Sequence, residues 1–140
     1  MLAKKENVIR NDVRKELIEI ARASKTITYS YLMKKFRIPR GNPKPGIGIG
    51  SVLGEISEFE DRNNRPLISA IVVRSNSASK NCPQGHPGAG FFGIPSSAIP
   101  AGLKRSASRQ VDPKLSQEDL EFVRETQEKI WQFWRQNNDL

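Results

Sequence analysis

The chain has one cysteine and one histidine among its 140 residues, Cys82 and His86. A lone thiol excludes an internal disulfide, and the pair falls short of the four Cys or His ligands that a structural zinc site takes. The expectation is a reducing, cytoplasmic compartment, with no metal and no cofactor. No apolar stretch approaches the roughly 20 residues that span a bilayer, and charge interrupts the N-terminus where a secretory signal would be apolar. A membrane is therefore not an expected partner. Hydrophobic residues make up 36% and aromatics 7% of the chain, which implies a modest core with looser segments. This length fits one domain, large enough to bury most of its apolar surface without staples.

Acidic residues are scarce at one end only. Residues 1–45 hold twelve Lys and Arg against four Asp and Glu, while the rest of the chain holds eleven of each. The whole formal charge of +8 thus sits in the first third of a basic protein. Such a segment fused to a neutral body points to a polyanion, with nucleic acid the first candidate and a solvated face the plain alternative.

Helical spacing of Val13, Leu17, Ile20 and Ala21 predicts an amphipathic helix over 11–23. Thr28 is a candidate N-cap for a short helix over Tyr29–Phe36. Pro39, Pro43 and Pro45, with Gly41, Asn42 and Gly46 between them, make 37–46 a turn-rich basic loop. Ile49, Val52, Leu53 and Ile56 mark a third helix, ended by Asn63 and Asn64. Gly48, Gly50 and Gly54 weaken it by up to about 1 kcal/mol each against Ala, so they serve close packing or close backbone approach. Leu67–Val73 reads as a buried strand and Gly90–Ile94 as a second, pairing with it. Ser116 opens a final helix with a near capping box and an apolar face of Leu120, Val123, Ile130, Trp131 and Trp134. The predicted class is α+β: a winged-helix-like tri-helical unit with a β-hairpin wing over 1–94, a linker or extended arm over 95–115, and a C-terminal amphipathic helix over 116–140 packing on the domain.

Four of these pieces resemble a known family. Thr28-Tyr29-Ser30-Tyr31-Leu32 resembles the Thr/Ser-Tyr-x-x-Leu that opens the second helix in the DNA-binding domain of O6-alkylguanine-DNA alkyltransferases and alkyltransferase-like proteins. Ile49-Gly50-Ser51-Val52-Leu53-Gly54 is similar to the Val-Gly-x-x-Leu-Gly of their recognition helix. Pro66 with Leu67–Val73 stands where their active-site strand lies, and Gly90-Phe91 resembles the Gly-Phe after it. The likeness covers about residues 24–93. It implies a winged-helix fold and DNA contact, with Tyr29 matching the tyrosine that meets the backbone of a flipped nucleotide. The acceptor motif Pro-Cys-His-Arg is missing, Ser69-Ala70-Ile71 standing in the strand, and Ile47 replaces the arginine that fills the gap left by the base. The resemblance thus argues against alkyl transfer. The Pro66-Leu67, Val72-Val73 and Pro87-Gly88-x-Gly90-Phe91 pattern also resembles a group of small bacterial proteins.

The expected function is non-catalytic binding of nucleic acid, duplex DNA first, through a basic helix-turn-helix surface. Tyr29, Lys34, Lys35, Arg37, Arg40, Asn42 and Lys44 carry the contact, with Ser75–Lys80 as wing and Lys104, Arg105 and Arg109 as a second basic arm. Glu55, Glu58, Glu60 and Asp61 oppose phosphate along the C-terminal half of the third helix. Two alternatives stand beside this reading. One is a protein-interaction module or homodimer using Trp131 and Trp134. The other is a damage-recognition or base-flipping protein related to alkyltransferase-like proteins. Gly46-Ile47-Gly48-Ile49-Gly50 lacks both the preceding strand and the spacing of a nucleotide fingerprint. Cys82 and His86, four apart, have no visible third group to orient them as a catalytic pair.

Overall fold

The computed structural model of the protein describes residues 9–41, 48–104 and 115–137. Helix α1 (Asn11–Arg22) buries Val13, Leu17, Ile18 and Ala21. Ile18 takes the inward place that spacing gave to Ile20, which is half-buried. The chain reverses through Ser24 at φ 57° into strand β1 (Ile27–Thr28). The Thr28 hydroxyl accepts from the Tyr31 N–H at 3.2 Å and so caps helix α2 (Tyr29–Phe36). Arg37, at φ 56° and ψ 48°, ends α2 in the left-handed conformation usual after a helix. Helix α3 (Ile49–Arg62) stops at Asn63. Strand β2 (Val72–Val73) pairs with β1 in parallel, Ile27 opposite Val72 and Thr28 opposite Val73. Helix α4 (Gln117–Gln136) opens with a full capping box, Ser116 accepting from the Asp119 N–H while the Asp119 carboxylate accepts from the Ser116 N–H. The class is α+β, with helices around a two-stranded parallel sheet.

Two expectations are corrected. The hairpin is absent among the described residues: Ile68–Ile71 coils into a 3-10 turn before the two residues of β2, and Ala89–Gly93 is a second 3-10 turn. An unbroken apolar run suits a turn buried on every side as well as a buried strand, and Ile68, Ala70 and Ile71 have no exposed surface at all. Phe91 and Phe92 both face inward, edge to face at 5.3 Å, which alternation along a strand would forbid. The segment read as a linker is also packed where it is described. Ile94, Ser96 and Ile99 are buried, Ala101–Leu103 forms a further 3-10 turn, and the Lys104 ammonium donates to the Ser96 carbonyl at 2.6 Å. Arg105 and Arg109 lie outside the described residues.

The core forms where α1 and α4 close over the Ile68–Ile71 turn, with α3 on its other flank. Trp134 is fully buried there, its ring flanked by the guanidinium groups of Arg14 and Arg22 at 5.7 and 5.8 Å. Arg22 also donates to the Trp134 and Asn137 carbonyls, tying the last turn of α4 to α1. Gln127 is buried and its amide donates to the carbonyls of Ala70 at 3.0 Å and Gly85 at 3.1 Å. One ion cluster sits inside this frame. Glu60 of α3 has no exposed surface, and its two carboxylate oxygens accept separately from Arg14 of α1 and from Arg65. Both guanidinium groups lie over the Phe59 ring, at 5.2 and 5.5 Å.

Removing one member of a buried ion cluster strands the others without compensation. Glu60→Ala is expected to lower the unfolding free energy by about 3–5 kcal/mol, read as a shift of the urea midpoint. A change within about 0.5 kcal/mol, the usual surface value, would contradict the role given to this cluster.

Candidate functional site

Helices α2 and α3 and the segment 88–95 enclose a cleft with two lobes. The inner lobe, about 450 Å³, has Gly50, Gly54, Glu55 and Glu58 of α3 on one wall and Ser69 and Phe91 across from them. The outer lobe, about 430 Å³, runs between Ser30 and Met33 of α2, Arg40, Arg74, Ser75 and Gly88. Tyr29, Gly50 and Gly90 border both. Each lobe alone falls within the size range of small-ligand sites. The Tyr29 hydroxyl accepts from the Gly88 N–H at 3.0 Å, which holds the ring at the boundary between the lobes. The floor is fixed as well: buried Ser57 accepts from the Ser69 N–H at 2.9 Å, and the two hydroxyls are 2.7 Å apart.

The glycines of α3 divide into two kinds. A Cβ on Gly48 would lie 1.9 Å from the Gly41 Cα and 2.8 Å from the Arg40 carbonyl oxygen. Gly41 itself has φ +123°, and the Ile49 N–H donates to the Pro39 carbonyl at 2.9 Å. Residues 39–41 and 48–49 thus form a neck where two backbones touch. At Gly50 and Gly54 a Cβ would meet nothing within 4 Å. Gly90, across the cleft, is equally open. Packing inside the chain therefore explains Gly48 and leaves Gly50 and Gly54 unexplained. What the two open glycines do is keep a helix wall bare where it faces the cleft.

The cations expected at the interface separate. Tyr29 and Arg40 line the outer lobe, and Lys34 follows Ser30 at the i+4 position on the same face of α2. Lys34, Arg37 and Arg40 are exposed, and none has a carboxylate partner among the described residues. Lys35 turns the other way: its ammonium donates to Glu16 of α1 at 3.0 Å, which pushes its pKa above the ordinary lysine value. Of the expected cations that are described, it is the one held by a carboxylate. Asn42 and Lys44 lie outside the described residues. Arg74, unpredicted from sequence, joins Arg40 in the outer lobe. Its place next to β2, at the start of a polar turn, was the one available signal.

The acids divide too. Glu60, counted from sequence among the groups repelling phosphate, is buried and neutralised. Glu55 and Glu58 line the inner lobe and form no ion pair among the described residues. The two lobes thus differ in the charged groups that line them: Arg40 and Arg74 in the outer one, Glu55 and Glu58 in the inner one. Cys82 and His86 have different partners. The Cys82 thiol is buried against the Leu120 carbonyl at 3.3 Å, while His86 Nδ1 lies 2.8 Å from the Pro87 carbonyl. Burial pushes the thiol pKa up, with a smaller opposing effect from Arg124. No group of three or more potential metal ligands occurs among the described residues. No family model, curated protein or solved structure matches this chain.

Two outcomes follow for stability and reactivity. Gly50→Ala and Gly54→Ala should each stabilise the fold by about 0.5–1 kcal/mol in urea unfolding, whereas Gly48→Ala should cost about 1–3 kcal/mol or more through the clash at the neck. Destabilisation at 50 or 54 would mean that the bare wall is packed after all. Because its raised pKa leaves little thiolate at neutral pH, Cys82 should resist iodoacetamide in the native protein and react once urea unfolds it.

Proposed function

We propose that this chain binds nucleic acid, duplex DNA first, through the outer lobe and the adjoining end of α2, and catalyses no reaction on it. The observation that carries the reading is the outer lobe itself, a groove with Arg40 and Arg74 on its walls, no acid among its lining residues, and backbone left accessible at Gly88 and Gly90. Lys34 and Arg37 extend the same positive surface. Phosphate contact of this kind positions a duplex without reading its sequence. In this proposal α1, α2 and α3 act as a helix-turn-helix unit, with the turn after Arg74 in the place of a winged-helix hairpin. The N-terminal end of α3 meets the ligand, since Glu55 and Glu58 follow along the helix. The motif resemblance to alkyltransferase-like proteins supports the same face of the molecule.

A second reading has an observation of its own. The inner lobe is large enough for one planar ring and opens beside the outer lobe at Tyr29, which favours a protein that holds an extruded base. The protein-interaction reading has none: Trp134 is in the core, and the Trp131 indole N–H donates to the Lys25 carbonyl at 3.0 Å. Tyr31 is the one large hydrophobic side chain that is exposed among the described residues.

A labelled duplex, a single strand and an RNA, each titrated at several salt concentrations, test the proposal. Three phosphate contacts, from Lys34, Arg37 and Arg40, give a slope of about −2.7 in log K against log salt on a duplex. Arg37→Ala combined with Arg40→Ala should cut that slope to about −0.9 and leave unfolding within about 0.5 kcal/mol. Binding that ignores salt, or no binding to any of the three polymers, would overturn it.

A further inference from the structure

One aromatic ring of this chain faces water. Tyr31 of α2 is 46% exposed, while every other Phe, Tyr and Trp is buried or half-buried. The structural duties at this position fall elsewhere. The Tyr31 backbone N–H donates to the Thr28 cap, and Leu32 is the buried residue of the helix. The surroundings of the ring are cationic. Lys34 and Lys35 follow Tyr31 at i+3 and i+4, about 5–6 Å away between Cβ atoms. Glu16 holds Lys35, whose ammonium lies 5.7 Å from the centroid of the Tyr31 ring. Viewed down α2, Lys34 falls between Tyr31 and Ser30, and Ser30 lines the outer lobe. A polyanion whose phosphates meet Arg40 at the lobe and Lys34 outside it therefore passes the Tyr31 ring.

We propose that Tyr31 is a stacking platform for an unpaired base, so that the ligand of this surface is a nucleic acid with a single-stranded stretch. The base lies on the outward face of α2, outside the cleft. The proposal rests on the nucleic-acid reading above and adds the form of the polymer. Inside a continuous duplex each base is covered above and below by its neighbours, so an exposed ring finds a free base face only where the stack is broken. Lys34, Arg37 and Arg40, exposed and without carboxylate partners among the described residues, hold the backbone beside the ring. Every base has a π-face, so the contact tolerates any sequence and needs no base-specific donor or acceptor.

The full-length protein is titrated, by fluorescence anisotropy, into a labelled oligothymidylate and into a strand of the same length that carries sugar and phosphate but no bases. The two probes offer the same phosphates and differ in what can stack. The strand with bases is expected to bind about fivefold tighter or more, the lower end for one base stacked on an aromatic side chain. Tyr31→Ala should bring the two strands to parity while leaving the affinity for the baseless strand unchanged. Its urea midpoint should stay close to that of the wild type, because the bond to Thr28 comes from the backbone. Tyr31→Phe should keep the preference, and Tyr31→Leu, apolar without a ring, should lose it. Lys34→Ala should weaken both strands equally and lower the salt slope on a strand by about 0.7. Equal affinity of the wild type for the two strands, as a ring kept for a protein partner would give, overturns the proposal. So does a preference that survives Tyr31→Ala, or binding to duplex with neither strand bound. In each of these cases salt-dependent binding that persists leaves the nucleic-acid reading standing. If neither strand nor duplex binds, that reading falls as well.

Discussion

A carboxylate with no exposed surface, held between two guanidinium groups, sets the geometry on which the rest of this molecule depends. Glu60 comes from α3, Arg14 from α1 and Arg65 from the chain that follows α3. Ionic groups this deep are tolerated only when every partner is in place, so the cluster allows one rotation of α3 against α1. Turning α3 by one residue would carry Glu60 into apolar surroundings. It would also carry Glu58 away from the cleft and Gly50 away from its boundary. The orientation of the cleft wall is thus tied to an ion cluster on another face of the same helix.

The cluster also changes the meaning of the basic N-terminal third. Arg14 neutralises Glu60, Arg22 holds carbonyls at the end of α4, Arg10 pairs with Asp12 and Lys35 with Glu16. Of the surplus cations, Arg14 is neutralised inside the fold and Arg22 is turned to backbone carbonyls, while the Arg10 and Lys35 pairs use acids of the same segment. Lys34, Arg37 and Arg40 stay exposed without a carboxylate partner among the described residues, and Arg40 lines the outer lobe together with Arg74.

Helices were legible in the sequence because their evidence is local. Thr28 as the cap of α2, Asn63 at the end of α3 and the Ser116 capping box each depend on neighbours within four residues. The strands were not, because Leu67–Val73 carries no period: a run buried on all sides looks alike whether it coils or extends. The parallel pairing of Ile27 with Val72 spans α2, α3 and the Ile68–Ile71 turn and leaves no local trace. At the site, Tyr29 could be named from its motif and Arg40 from the turn-rich basic segment that holds it. Arg74, Glu58 and Phe91 could not be grouped with them until the fold brought their segments together. Gly50 and Gly54 drew notice for the right cause, a helix accepting a cost, yet the sequence could not say whether protein or open space lay opposite.

The packing of α1 directly on α4 also bears on how the chain is made. Trp134, near the end of α4, fills the space beside Arg14 and Arg22, and Gln127 supplies the donors for carbonyls at 70 and 85. While the polypeptide is still emerging from the ribosome, α1 can pack on the Ile68–Ile71 turn, but the part of its apolar stripe that α4 covers stays open until the residues from 117 on are made. Closure is therefore a late, long-range event, and the nascent chain depends through most of translation on its own charge, or on a chaperone, to keep that stripe from finding the wrong partner.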